Sequence, residues 1–298
     1  MSVVTLSSPA HTNPYSHIST RFDSQHGALW CFLDPKPRAC FTFEVLDELR
    51  RFQQVLERLV DADEGERARV RYVILASKTP GIFNFGGDLS LFIQCITNRD
   101  AITLRRYAKA CIDVLYPHAI GFHLPLTTIS LVQGDALGGG FEAALASDII
   151  IAEHNAQMGF PEVLFNLFPG MGAYNLLQRR VGMLRTEKML LNGKLYSAKQ
   201  LHEEGVVDIL AENGRGENAV YEYILRQSAR RNAHEAILRV RRKLQAVSYE
   251  QLLEVVEVWI NTALQITPRE IRMMDRLMKA QGRNSQQVIR SPFASRHR

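Results

Sequence analysis

The chain has 298 residues, of which 46% are apolar and 22% charged, with no residue type dominating. That composition excludes intrinsic disorder and collagen-like or low-complexity character, and the length allows a sizeable core. The formal net charge of +5 is unevenly placed. Residues 226–298 hold 15 Lys plus Arg against 6 Asp plus Glu, a balance of +9, and the remaining 21 basic and 25 acidic residues give −4.

Residues 1–14 lack a basic segment followed by an apolar stretch, so they do not read as a secretory signal. Residues 1–25 are expected to be a loose lead-in. Residues 26–33 read as a strand, and 43–60 as a helix with Val45, Leu46, Leu49, Phe52, Val55, Leu56 and Leu59 spaced by threes and fours. A second strand follows at 69–76, and then a helix over 100–118 with Asp100 in capping position. Short β-branched runs at 126–132 and 149–152 read as strands, and 206–210 as the last of them. From residue 218 onward the pattern is helical. The amphipathic stretch 250–266 ends at Thr267-Pro268, and Pro268 opens a further helix, where its missing N–H costs little. Repeated β then α implies an α/β architecture with crossover helices. The expected division is a core domain over 26–210 and a helical region over 211–298. No internal repeat is visible, and no run of about 18 apolar residues exists to span a bilayer.

The four cysteines, Cys31, Cys40, Cys95 and Cys111, show no CxxC and no partner histidines at metal spacing. They read as reduced, buried thiols of a cytoplasmic protein. No HExxH occurs, and neither a metal nor another cofactor is expected. The basic quarter, with Arg226, Arg230, Arg231, Arg239, Arg241, Arg242 and Lys243, reads either as a solvated helix face or as a surface for an acidic partner. Nucleic acid is not expected as that partner, because no binding motif or aromatic platform accompanies the charge.

Two glycine-bearing turns carry the chemistry. One reads Phe83-Asn84-Phe85-Gly86-Gly87-Asp88-Leu89 and the other Gly134-Asp135-Ala136-Leu137-Gly138-Gly139-Gly140-Phe141-Glu142. Glycine at a strand-to-helix handover lets a ligand approach the backbone, and the helix start offers unpaired N–H groups. No Walker sequence, GxGxxG or GxSxG is present, which leaves an oxyanion hole as the functional reading and tight packing as the bland one. Glu142 directly follows the glycines. Glu162 lies in Gly159-Phe160-Pro161-Glu162-Val163, among apolar residues. Burial there would raise a carboxyl pKa toward the range useful for proton transfer.

Together with Phe168-Pro169-Gly170-Met171-Gly172, these motifs resemble the enoyl-CoA hydratase/isomerase (crotonase) superfamily from about residue 26 to beyond 280. The resemblance implies a spiral of ββα units with a helical C-terminal region, packed into trimers. It also implies a thioester carbonyl held by the N–H groups of Gly87 and Gly139, with Glu142 and Glu162 as the acid/base pair. Phe85, Gly86, Leu137, Gly138, Met171 and Trp259 are expected to contact substrate. Gly87 stands where hydratases commonly have Ala, and Phe141 where they often have Cys. The three motif stretches, with Trp259-Ile260-Asn261-Thr262-Ala263 and Met274-Asp275-Arg276-Leu277, look closest to the diffusible-signal-factor synthases, which make cis-2-unsaturated fatty acid signals.

That branch implies dehydration of a 3-hydroxyacyl group on acyl carrier protein, followed by thioester hydrolysis. The basic quarter, Arg241 and Arg242 included, would then meet the acidic carrier. Two alternatives stand beside this reading: a trans-2-enoyl-CoA hydratase, and a non-catalytic scaffold that senses acyl chains or docks on a signalling partner. Sequence alone does not distribute the acid and base roles between the glutamates.

Overall fold

A computed structural model of the chain describes residues 14–58 and 70–290, with side chains described as far as residue 281. In chain order it forms β1 (Ile18–Asp23), β2 (Ala28–Leu33), α1 (Phe43–Arg58), β3 (Tyr72–Ser77), β4 (Ile82–Asn84), α2 (Leu89–Thr97) and α3 (Ala101–Ala119). There follow β5 (Thr127–Val132), β6 (Asp135–Leu137), α4 (Gly139–Leu145), β7 (Ile149–Glu153) and β8 (Gln157–Gly159), then a 3-10 turn (Pro161–Phe165). The rest is α5 (Ala173–Val181), α6 (Met183–Asn192), β9 (Leu195–Ser197), α7 (Ala198–Glu203), β10 (Ile209–Ala211), α8 (Gly216–Ser228), α9 (Arg231–Leu244), α10 (Tyr249–Ala263) and α11 (Pro268–Arg290).

The strands build a six-stranded sheet, β1-β2-β3-β5-β7-β10, and a four-stranded one, β4-β6-β8-β9. From β3 to the 3-10 turn the chain three times lays a long strand in the larger sheet, then a three-residue strand in the smaller, then turns into a helix or helical turn. This is the expected α/β spiral of ββα units. β2, β5 and β7 are buried along their whole length, as interior strands covered on both faces must be. One face packs under α1 and α3, with Leu46, Leu49, Leu104 and Ile112 in the main core. The opposite face holds Trp30, Ile74, Ile129 and Ile151 under Val220, Tyr223 and Ile224 of α8.

The structure departs from the sequence reading in three places. Residues 18–23 are not lead-in: β1 pairs antiparallel with β2, from Ile18 opposite Leu33 to Asp23 opposite Ala28. Buried Glu48 of α1 anchors this edge by accepting from the N–H groups of Ser16 (2.8 Å), His17 (2.7 Å) and Ile18 (3.1 Å). Residues 1–13 lie outside the described residues. Next, the chain from 211 to 228 belongs to the sheet core, because β10 pairs with β7 and α8 covers the second face. The helical cover proper is therefore α9 to α11.

The third departure concerns the basic quarter. Arg241 and Arg242 turn inward onto Asp148, whose side chain is 5% exposed. Arg241 Nη2 donates to Asp148 Oδ1 (3.2 Å) and to its carbonyl (2.8 Å), and Arg242 Nη2 donates to Asp148 Oδ2. These two arginines tie α9 to the sheet, so they are engaged with Asp148 rather than standing free on a solvated helix face. Among the described residues no helix is long and apolar enough to cross a membrane, and all four cysteines are buried and free.

Candidate active site

The two glycine turns meet where β4 and β6 leave the smaller sheet. Gly86 has φ +88°, and a Cβ there would stand 2.7 Å from Gly139 N and 2.8 Å from Leu137 O, so the turns touch backbone to backbone and only glycine fits. Gly86 is held from both sides: its N–H donates to Asn84 Oδ1 (2.7 Å) and its carbonyl accepts from Phe41 N (2.8 Å). Asp88 caps α2, accepting from Ser90 N (3.0 Å), and also takes a bond from Arg38 Nη2 (2.9 Å). Tyr107 of α3 donates to Phe41 O and accepts from Asp88 N (3.1 Å). These bonds leave the N–H groups of Gly87 and Gly139 unused by any acceptor among the described residues. At Gly87 the space a Cβ would fill belongs to Phe92, whose Cζ would be 2.6 Å away. That contact explains glycine at this position.

Glu142 lies in α4 and is 1% exposed. Its Oε1 accepts from Met171 N and Ala173 N, both at 2.8 Å, where the Phe168–Gly172 segment enters α5. Those bonds favour the carboxylate, yet burial outweighs them and, with the neighbouring charge of Glu162, pushes the Glu142 carboxyl up to about 8. Glu162 projects from the 3-10 turn against Gly138, where a Cβ would stand 2.1 Å from its Oε1. Gly138 has φ +52°, so a side chain there meets both strain and the carboxylate. The Oε2 of Glu162 is buried with no hydrogen-bond partner, and burial raises this carboxyl to about 7. One carboxyl is thus fixed by the backbone, and the other keeps one oxygen, Oε2, without a partner.

Phe85, Gly87, Gly138, Gly139, Glu142, Glu162, Met171 and Trp259 line a single cavity of about 60 Å³. Gly86 and Leu137 stand behind its wall: Leu137 packs with Ala39, Ile82 and Phe85. The sequence did not single out Tyr107, Cys111 or Gln281, which also line it. Tyr107 and Cys111 follow the period of a core helix, so no pattern distinguished them. Trp259 of α10 meets Phe92 edge-on at 5.0 Å between centroids and lies against Gly170. α11 closes the same side with Leu277 and Gln281. Met171 and Cys111 are shared with a second, apolar cavity among Leu46, Leu49, Phe52 and Leu115, on the inner side of α1.

Two buried carboxyls and two free backbone donors, facing one cavity at the junction of two sheets, define a crotonase-like α/β protein. The chain matches the enoyl-CoA hydratase/isomerase family over residues 31–258, and it belongs to that family. Human mitochondrial methylglutaconyl-CoA hydratase is 29% identical over 168 residues, covering 56% of this chain and 47% of that protein. The fatty acid oxidation complex subunit alpha of Vibrio cholerae is 28% identical over 189 residues, 63% of this chain and 25% of that one. The chain thus spans about half or less of the length of these curated relatives. Among solved structures, an enoyl-CoA hydratase from Bacillus halodurans superposes with a TM-score of 0.72 at 22% identity, covering 88% of this chain and 100% of the other. Human mitochondrial delta3-delta2-enoyl-CoA isomerase gives 0.73 at 20% identity, covering 89% and 99%. At these identities the likeness is one of fold.

Proposed function

We propose that this protein dehydrates a 3-hydroxyacyl thioester and then hydrolyses the thioester, releasing a cis-2-unsaturated fatty acid. The observation that carries the first step is the Glu142–Glu162 pair beside the unused N–H groups of Gly87 and Gly139. Those donors would polarise the thioester carbonyl and hold the enolate that forms as the α-proton leaves. Glu162, whose Oε2 is buried without a partner, takes that proton. Glu142, whose carboxyl burial and the charge of Glu162 push upward, delivers one to the departing 3-hydroxyl. Water expelled in this step, or its replacement, would be activated by a glutamate against the same carbonyl. The tetrahedral intermediate, held by the same N–H groups, would break its C–S bond, and the leaving thiolate would take the proton the glutamate removed from water.

A fatty chain suits the apolar cavity that adjoins the site through Met171 and Cys111. The acyl carrier protein, the hydrolysis, the cis geometry and a trimeric assembly rest on the sequence resemblance. For carrier docking, α11 takes the place of Arg241 and Arg242. It lines the catalytic cavity with Leu277 and exposes Arg269, Arg272 and Arg276. Reversing Arg272 and Arg276 to Glu is expected to raise KM for carrier-bound substrate, most at low salt, because such charges are screened over about 10 Å at 0.1 M. An unchanged KM at low ionic strength would remove α11 from docking.

Trp259→Ala is expected to shift the chain-length profile of the products, because the indole walls the cavity beside Gly170. A lower melting temperature with an unchanged profile would make Trp259 a packing residue only. The deciding experiment supplies purified protein with 3-hydroxyacyl carrier protein and with 3-hydroxyacyl-CoA. Free acid whose olefinic protons show the small, cis-type NMR coupling is the expected product. Recovery of only trans-2-enoyl thioester would identify a hydratase, and no turnover of either substrate would leave an acyl-binding scaffold.

A further inference from the structure

A polar cavity lies at the opposite ends of the two helices that build the catalytic one. α4 starts at Gly139 in the catalytic cavity, and α5 starts at Ala173, whose N–H holds Glu142. The helices pack on each other, and at about 1.5 Å per residue they place their far ends roughly 10 Å away. There Ser147, Asp148, Arg179, Arg180, Arg241 and Arg242 surround a cavity of about 230 Å³. Asp208 is the second carboxylate on its wall, so four guanidinium groups face two carboxylates.

Three of the arginines are committed. Arg180 donates to Val206 O (2.9 Å), Asp208 Oδ2 (3.1 Å) and Ser147 O (3.0 Å). Arg241 and Arg242 share Asp148, and Arg242 also donates to Leu126 O (2.9 Å). Arg179 is different. Its Nε is buried without a hydrogen-bond partner. Burial, followed by the charges of Arg241 and Arg180, pushes its guanidinium down to about 10. Water filling such a cavity would satisfy the N–H groups but would leave the excess of positive charge. A polyatomic anion satisfies both, and the planar guanidinium fork matches the oxygens of a phosphoryl group.

We propose that this cavity binds a compact oxyanion of two negative charges, with phosphate or the phosphoryl end of a phosphomonoester as its ligand and Arg179 as its principal contact. The site is separate from the catalytic cavity and does not depend on which thioester the enzyme uses.

The test titrates the full chain with inorganic phosphate, and in a second arm with methyl phosphate, at constant ionic strength set by chloride. A ligand that binds only the folded state adds RT ln(1 + [L]/Kd) to stability, so the thermal midpoint is expected to climb with the logarithm of phosphate concentration once the site fills. A response to both probes indicates a site open to esterified phosphoryl groups, and a response to inorganic phosphate alone indicates a site for the free ion. Arg179→Met, with its fold checked by circular dichroism, is expected to abolish the climb. Should that variant not fold, Arg179→Lys, which keeps the charge and loses the fork, is expected to move the response to several-fold higher phosphate. No climb beyond the chloride control would overturn the proposal, as would an equal climb in the Arg179 variant. A fall in assembly mass on Arg179→Met would place a carboxylate of a second copy in the cavity and overturn it as well.

Discussion

Replacing Glu142 or Glu162 by Gln is expected to lower turnover by about 10²- to 10⁴-fold, the usual contribution of a positioned acid or base, while the fold persists. The amide keeps the volume of each side chain, so packing around α4 and the 3-10 turn is retained. In Glu142→Gln the bonds from Met171 N and Ala173 N still find a carbonyl acceptor. The measurement is kcat at saturating 3-hydroxyacyl thioester with far-UV circular dichroism beside it. A near-wild-type kcat in either variant would remove that residue from the chemistry.

The same pair predicts two pH dependences. Activity needs one proton shared between the two carboxyls, so kcat/KM should be bell-shaped, with limbs that belong to the coupled pair. Stability should run the other way from the usual carboxylate case. Both carboxyls lie above their ordinary value of 4.5, at about 8 and about 7, so the folded chain retains protons that the unfolded chain releases. Their contribution is fully present below pH 4.5 and is lost as pH rises through about 7 to 8. Urea midpoints between pH 5 and 8, at roughly half-unit steps, should therefore fall less in Glu142→Gln than in the parent. Identical slopes would show that Glu142 does not titrate in this range.

Asp148→Ala is expected to destabilise the chain by about 3–5 kcal/mol, the range for removing one partner of a buried ion pair. Burial on its own would raise the Asp148 carboxyl. Arg242, by charge and hydrogen bond, with Thr128 N–H (3.0 Å) and Arg241, reverses that and holds it below the ordinary value. Removing it leaves Arg241 and Arg242 facing a wall that also carries Arg179 and Arg180, and frees α9 from the start of β7. A depressed carboxyl stabilises above its ordinary pKa of 3.8, so this contribution is lost as pH falls through the lower folded value. Asp148→Ala should consequently flatten the acid limb of the stability profile. The exposed Arg105–Glu257 pair is the control, since solvent screens it and its loss should barely move the urea midpoint. Equal effects at the two sites would mean that the Asp148 clamp holds nothing together.

The long strands and helices were legible because burial imposes a pattern on sequence. β2, β5 and β7 are covered on both faces and so read as continuous apolar runs, and α1 and α3 display one apolar stripe. Asp100 caps α3 as its position suggested, accepting from Thr103 N at 2.9 Å. The glycine turns were legible for a second reason: at Gly86 and Gly138 a positive φ and the close approach of neighbouring atoms leave no room for a Cβ. The short strands β4, β6, β8 and β9 have three residues each, too few for any period to register. Edge strand β1 carries mostly polar residues and is held by Glu48, a contact across 30 or more positions that composition cannot announce. The same limit governs charge. Sequence counted the cations of the C-terminal quarter correctly, but only tertiary structure decided that Arg241 and Arg242 face a buried aspartate while Arg272 and Arg276 face solvent. A local pattern records which face of an element is buried, whereas the partner across the interface is set by how distant elements pack.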